Sequence, residues 1–182
     1  RRDGGVGIAV QNGAYAPGPG VSTASEAEAM IAANNHGTLR FLRAMAPLMR
    51  DHGRLIIVAS AMGRLENLPE NLRERFNTHR HTPAEIDLAM DGYVAALRAG
   101  TAAAEGWPDW VNIPSKIGQV AVTKAFARQF AAERGVLINA ACPGLTLTDA
   151  TAGLMDTVFK GRSAQTPEQA AADLLWLATL PP

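Results

Sequence analysis

The 182-residue sequence has a single cysteine, Cys142, so no disulfide can close within the chain and a reducing, cytoplasmic setting is expected. It has no surplus of charge, since 17 lysines and arginines face 17 aspartates and glutamates. Binding to nucleic acid or to an anionic membrane draws on a basic excess, so this balance removes the electrostatic case for either partner. No apolar run approaches the roughly 20 residues needed to span a bilayer. The opening Arg1-Arg2-Asp3-Gly4-Gly5 leads straight into an apolar stretch and lacks the form of a signal peptide. Lysine is scarce, with three residues against a heavy use of arginine, a bias expected of a bacterial source. Repeats and low-complexity tracts are missing too. What remains is 47% hydrophobic and 19% charged, the composition of a globular protein, at a length suited to one domain with one core.

Three apolar runs read as buried strands: Val6–Val10, Leu55–Ala59 and Val136–Ala141. Between and after them stand helical patterns. Ser25 with Glu28, or Thr23 with Glu26, forms a capping box for a helix expected to run to about Arg50. Thr82-Pro83-Ala84-Glu85 opens a second, ending at Gly100; a third runs from about Asn112 to Arg134; Thr166-Pro167-Glu168-Gln169 opens the last. Arg64–His81 is polar and Arg-rich, balanced by Glu66, Glu70 and Glu74, and reads as a solvated face with at most a short helix. Alternating strands and helices imply parallel strands joined by crossover helices. Three strands leave an outer one with a long apolar edge, so something is expected to flank them.

In open α/β sheets the working residues sit at the carboxyl ends of the strands. Here those ends carry Gln11-Asn12-Gly13-Ala14, Ser60, and Pro143-Gly144. Asn34-Asn35-His36-Gly37 and Ser115-Lys116 lie on helices. Together these residues resemble the short-chain dehydrogenase/reductase family, in its carbonyl-reductase-like branch. Gln11-Asn12-Gly13-Ala14 stands where the family has Asn-Asn-Ala-Gly; Asn34-x-x-Gly37 matches its helix asparagine; Val58-Ala59-Ser60 matches the strand ending in the catalytic serine; Pro143-Gly144 with Thr148 matches the segment over the nicotinamide. The insertion between Ser60 and Lys116, with Glu105-Gly106-Trp107-Pro108, and Ser115-Lys116-Ile117-Gly118 point to the branch.

The resemblance implies a Rossmann-type three-layer α/β/α fold with a parallel sheet. It implies a single domain over residues 1–182 with an insertion at 63–110, incomplete at both ends. The family's glycine-rich turn would lie upstream of Arg1 and its final strand beyond Pro182. It implies NADP as cofactor, with NAD as the other choice, bound by Asn12, Gly13, Lys116, Pro143, Gly144 and Thr148. It implies a small-molecule carbonyl substrate acted on by Ser60, Asn112, Lys116 and Asn34. A monomer is expected, because an insertion of this kind blocks the family's usual helix pairing.

One departure is chemical. The family's Tyr-x-x-x-Lys places a proton-donating tyrosine four residues before the lysine, and here that position holds Asn112. Of the two tyrosines, Tyr93 is nearest but belongs to the preceding helix. An amide donates a hydrogen bond but no proton at neutral pH. The expected activity is therefore weakened reduction of a ketone, aldehyde or quinone. The alternatives are an inactive relative that binds a dinucleotide or another ligand, and a scaffold without cofactor. Other residues have plainer readings. His79 and His81, two histidines without a third ligand, read as surface. Cys142 reads as packing. Trp107 and Trp110 suit a substrate pocket or a cover over the next helix equally well.

Overall fold

A computed structural model describes residues 4–15, 24–130 and 134–181. Strand β1 (Val6–Gln11) is followed by helix α1 (Ala27–Ile31), a π-helical turn (Ala32–His36) and helix α2 (Gly37–Met45). Strand β2 (Met49–Val58) comes next, then the short α3 (Glu70–Arg73), α4 (Pro83–Ala99) and α5 (Asn112–Phe130). Strand β3 (Leu137–Ala141), the one-turn α6 (Asp149–Ala152) and α7 (Pro167–Thr179) complete the order.

The sheet is parallel in the order β1-β2-β3, as the alternating pattern implies. Its register sets two faces. Ala9, Leu55 and Ile138 share one face, and with Ile57 they join the main core under α1, α2, α4 and α5. Val10, Ile56 and Asn139 pair on the other. There Ile56 is buried, and the Arg54 guanidinium donates to the Leu180 carbonyl just past α7. Ile8 and Val10 stay exposed on that face, as do Leu175 and Trp176 on α7. The apolar surface left open is therefore a face as well as an edge.

The helix expected from Ser25 to Arg50 is shorter. Its cap position is Glu26, without a side-chain cap bond; Thr23 lies outside the described residues. At the other end Pro47 sits in a 3₁₀ turn (Ala46–Leu48), and the chain enters β2 at Met49, well before Leu55. Pro47 lacks the N–H that a continuing helix would use; the chain tightens into this turn and becomes extended at Met49. The later caps behave as read. Thr82 and Glu85 form a reciprocal box at α4, Gly100 takes the left-handed conformation that ends it, and Thr166 with Gln169 repeats the box at α7.

The insertion holds more core than its composition suggests. Between Arg64 and His81 the arginines and glutamates mostly face solvent, but Leu68, Leu72 and Phe76 are buried. Phe76 meets Trp107 edge-on at 6.2 Å, Tyr93 packs on the same ring at 4.6 Å, and Arg75 lies 5.6 Å from its centroid. Trp107 is thus a core residue; Trp110 is half-buried. Truncating Phe76 to alanine should lower the unfolding free energy by about 3–5 kcal/mol in urea denaturation, whereas Arg80→Ala, an exposed ion pair with Glu74, should change it by less than about 1 kcal/mol.

Candidate active site at the carboxyl end of the sheet

The parallel arrangement brings the loops after β1, β2 and β3 to one end of the sheet. Asn34 anchors the first of these loops. Its side chain accepts from the Tyr15 amide at 2.8 Å and donates to the Tyr15 carbonyl at 3.1 Å. The π-helical turn is what aims it there: a widened turn lets the adjacent residues Asn34 and Asn35, both buried, serve different partners. Asn12 and Gly13 are exposed on that loop, and nothing crowds the place of a Cβ at Gly13.

Asn35 turns to α5. Its amide donates to the Ser115 carbonyl at 2.8 Å, and the Ser115 hydroxyl donates back to its carbonyl oxygen at 3.0 Å. Gly118 makes this approach possible, because a Cβ there would stand 2.5 Å from Asn35 Nδ2 and 2.6 Å from Met90 Sδ. The pair grips the first turn of α5, which carries Asn112 and Lys116 four residues apart on one helix face. Asn112 is half-buried, and its amide makes no hydrogen bond among the described residues.

Ser60 follows β2 in a tight 3₁₀ turn (Ala61–Gly63), where its hydroxyl accepts from the Met62 amide at 3.2 Å. This turn lies hard against α5: a Cβ on Gly63 would be 2.7 Å from the Lys116 carbonyl oxygen. It is tied to β3 by the Ala59 amide on the Ala141 carbonyl and by the Ala61 amide on Cys142 Sγ at 3.0 Å. Cys142, read as packing, is exposed instead, because the strand ends at Ala141 and the thiol stands over the neighbouring turn. Gly144 takes a positive φ of 80°, and the Gln165 amide donates to the Pro143 carbonyl. Thr148 caps α6, its hydroxyl engaged with Thr151.

Lys116 is the electrostatic centre. Burial lowers the pKa of its amine below the ordinary 10.5, partly opposed by the nearby Cys142. Its Nζ donates to Gln119 Oε1 at 2.9 Å; Gln119 Nε2 donates to Thr38 Oγ1 at 3.0 Å; Thr38 donates to the Asn34 carbonyl at 2.7 Å. Sequence reasoning missed Asn35, Thr38, Ser115 as a partner, and Gln119. The signal for Gln119 was its place one turn after Lys116, between Ser115 and Thr123 on the same helix face. Tyr93 lies sealed beneath Trp107, its phenol pushed up to about 12 by burial and by Asp109. A cleft of about 1290 Å³ is lined by Ser60 and Cys142 but not by Asn34, Asn112 or Lys116. A smaller one of about 630 Å³ lies along Pro143, Gly144 and Gln165.

The sequence is 32% identical to carbonyl reductase (NADPH) 3 of Rattus norvegicus over 162 residues, covering 86% of this chain and 56% of that protein. Carbonyl reductase (NADPH) 1 of Homo sapiens is 28% identical, with the same coverage of each. Over most of its length the chain is similar to carbonyl reductases of the short-chain dehydrogenase/reductase family. It spans about half the length of these curated relatives. Among solved structures, salutaridine reductase from Papaver somniferum superposes with a TM-score of 0.73 at 23% identity, over 87% of this chain and 52% of that one. Menthone neomenthol reductase from Mentha piperita gives 0.66 at 24%, over 99% and 55%. Both share the Rossmann-type fold. No protein-family profile matches the chain.

The lowered Lys116 pKa has a stability signature. The folded state sheds this proton before the unfolded state does, so stability should rise with pH from the lowered folded value up to about 10.5. In urea denaturation, the wild type should gain on Lys116→Met across that alkaline window and run parallel to it below.

Proposed function

We propose that the protein reduces a carbonyl compound, a ketone, aldehyde or quinone, with NADPH, at a site whose proton-transfer half is weakened by Asn112. The observation that carries this reading is the convergence of the Ser60 turn on the helix turn bearing Asn112 and Lys116, with Asn34 tied to the same place. The similarity to NADPH-dependent carbonyl reductases supports the cofactor and the substrate class.

The residues present fit the nicotinamide end of such a cofactor. Asn12 and Gly13 leave open backbone at the end of β1, Gly144 turns the chain away from the end of β3, and Lys116 holds an amine among buried groups. In this reading Asn12, Gly13, Lys116, Pro143, Gly144 and Thr148 hold it. NADPH, when bound, supplies the hydride.

The chain's own groups do the rest. The Ser60 hydroxyl donates a hydrogen bond to the substrate oxygen. The Asn112 amide donates a second and fixes the carbonyl's orientation, but it gives up no proton. Lys116 binds ribose hydroxyls, and burial eases loss of the proton from its ammonium. Asn34 holds the Tyr15 loop in place, and its backbone carbonyl accepts from Thr38. NAD stays the second choice of cofactor. A single domain over residues 1–182 with its insertion at 63–110, a monomer with α4 lying along α5, and a bacterial cytoplasm belong to the same reading.

Restoring the tyrosine tests it. Asn112→Tyr should raise carbonyl turnover by ~10² to 10⁴, measured as NADPH consumption over a panel of ketones, aldehydes and quinones. Turnover unchanged or lower with NADPH binding intact, followed by nicotinamide fluorescence, would remove Asn112 as the limiting defect. Tight NADPH binding with no turnover in either protein would favour the binding-only reading that the loss of tyrosine suggests.

A further inference from the structure

Gln119 lies one turn along α5 from Lys116 and is fully buried. Ile117, Ala121 and Val122 beside it on the helix are buried and apolar, while Ser115 and Thr123, one turn away on either side, are buried and polar, each with its own hydrogen-bond partner. A buried amide is unfavourable unless it is hydrogen-bonded, and Gln119 makes two side-chain bonds. Their directions are fixed. The Asn34 carbonyl can only accept, so the Thr38 hydroxyl must donate to it and accept from Gln119 Nε2. That leaves Gln119 Oε1 facing Lys116 as a pure acceptor, 2.9 Å from Nζ. Thr38 and Asn34 are as buried as Gln119, so the whole chain of bonds runs through dry interior.

We propose that Gln119 is a positioning residue, which fixes the Lys116 amine as a charged donor at one end of a buried hydrogen-bond chain that runs through Thr38 to the Asn34 carbonyl. The tether uses one of the three ammonium donors and leaves two for the site. It also opposes burial, since an acceptor on an ammonium favours the charged form. The other titratable group facing the amine is the Cys142 thiol at the end of β3. The assignment of those two free donors to cofactor and substrate rests on the reductase reading; the tether does not.

The chain has three lysines, Lys116, Lys124 and Lys160, so their side-chain nitrogens can be followed separately by ¹⁵N NMR through a pH titration, with Lys116→Arg to assign the signal. In the full chain, Gln119→Met should lower the Lys116 midpoint by about one pH unit, and Gln119→Glu should raise it above the wild type, with Lys124 and Lys160 unmoved. The KM for NADPH should rise in the methionine variant and recover in the glutamate one. A Lys116 midpoint that stays put in Gln119→Met, or that falls alike in both variants, overturns the tether. If the methionine variant fails to fold, the glutamate comparison decides: no rise, no tether. The expected shifts without NADPH binding by any of the proteins would support the tether and overturn the reductase reading. NADPH binding without the shifts would do the reverse.

Discussion

Asn35 and Ser115 exchange two hydrogen bonds across the contact between the π-helical turn and α5, and both residues are shielded from water. In that setting removal of either partner strands the other, at a cost of about 1–3 kcal/mol for each group left unpaired. The bond pair does what apolar packing cannot: it fixes the rotation and height of α5 against its neighbour. Every site group on the first turns of α5 inherits that setting. Gly118 admits Asn35, and Gly63 lets the turn after β2 close on the same helix from the other side. The helix is held at two backbone approaches that leave no room for a Cβ.

The polar interior beside this contact is continuous. From Lys116 it passes through Gln119 and Thr38 to Asn34, and from Asn34 to the backbone of Tyr15. A chain of satisfied, directional bonds of this kind specifies one arrangement more sharply than an oily contact of equal area. It links the loop after β1 to α5 without using the sheet. The substitution at Asn112 therefore sits in a site whose supporting frame is intact. On the proposed reading, only the proton chemistry at that one position differs, while the groups around it keep their partners.

Much of this was legible in the residues. The three apolar runs, the boxes at Thr82 and Thr166 and the stop at Gly100 each carry a local cause that tertiary contacts did not override. Ser60 stood out at a strand end, and Asn34, Lys116 and Asn112 through their resemblance to the family's motifs; the parallel strands bring the loops after β1 and β2 to one end. Other features were hidden for physical reasons. Leu68, Leu72 and Phe76 are spaced four apart among charges, so the charges masked a narrow buried stripe. Cys142 looked like core because small apolar residues precede it, but the strand stops one residue earlier. Asn35 pairs with Ser115 and Thr38 with Gln119, about 80 positions apart in each case, a pairing that no single segment discloses.

The π-helical turn sets a limit on how this protein can vary in length. Each helical residue turns the chain by roughly 100°, and a π turn holds one residue more than the regular winding around it. Loss of a single residue from Ala32–His36 would let the helix relax to regular winding. Everything on its amino-terminal side would then be rotated by that angle and drawn closer. Asn34 and Asn35 could no longer reach Tyr15 and Ser115 together. A one-residue deletion here, in the middle of a helix and remote from any loop, would undo the site more completely than most substitutions within it.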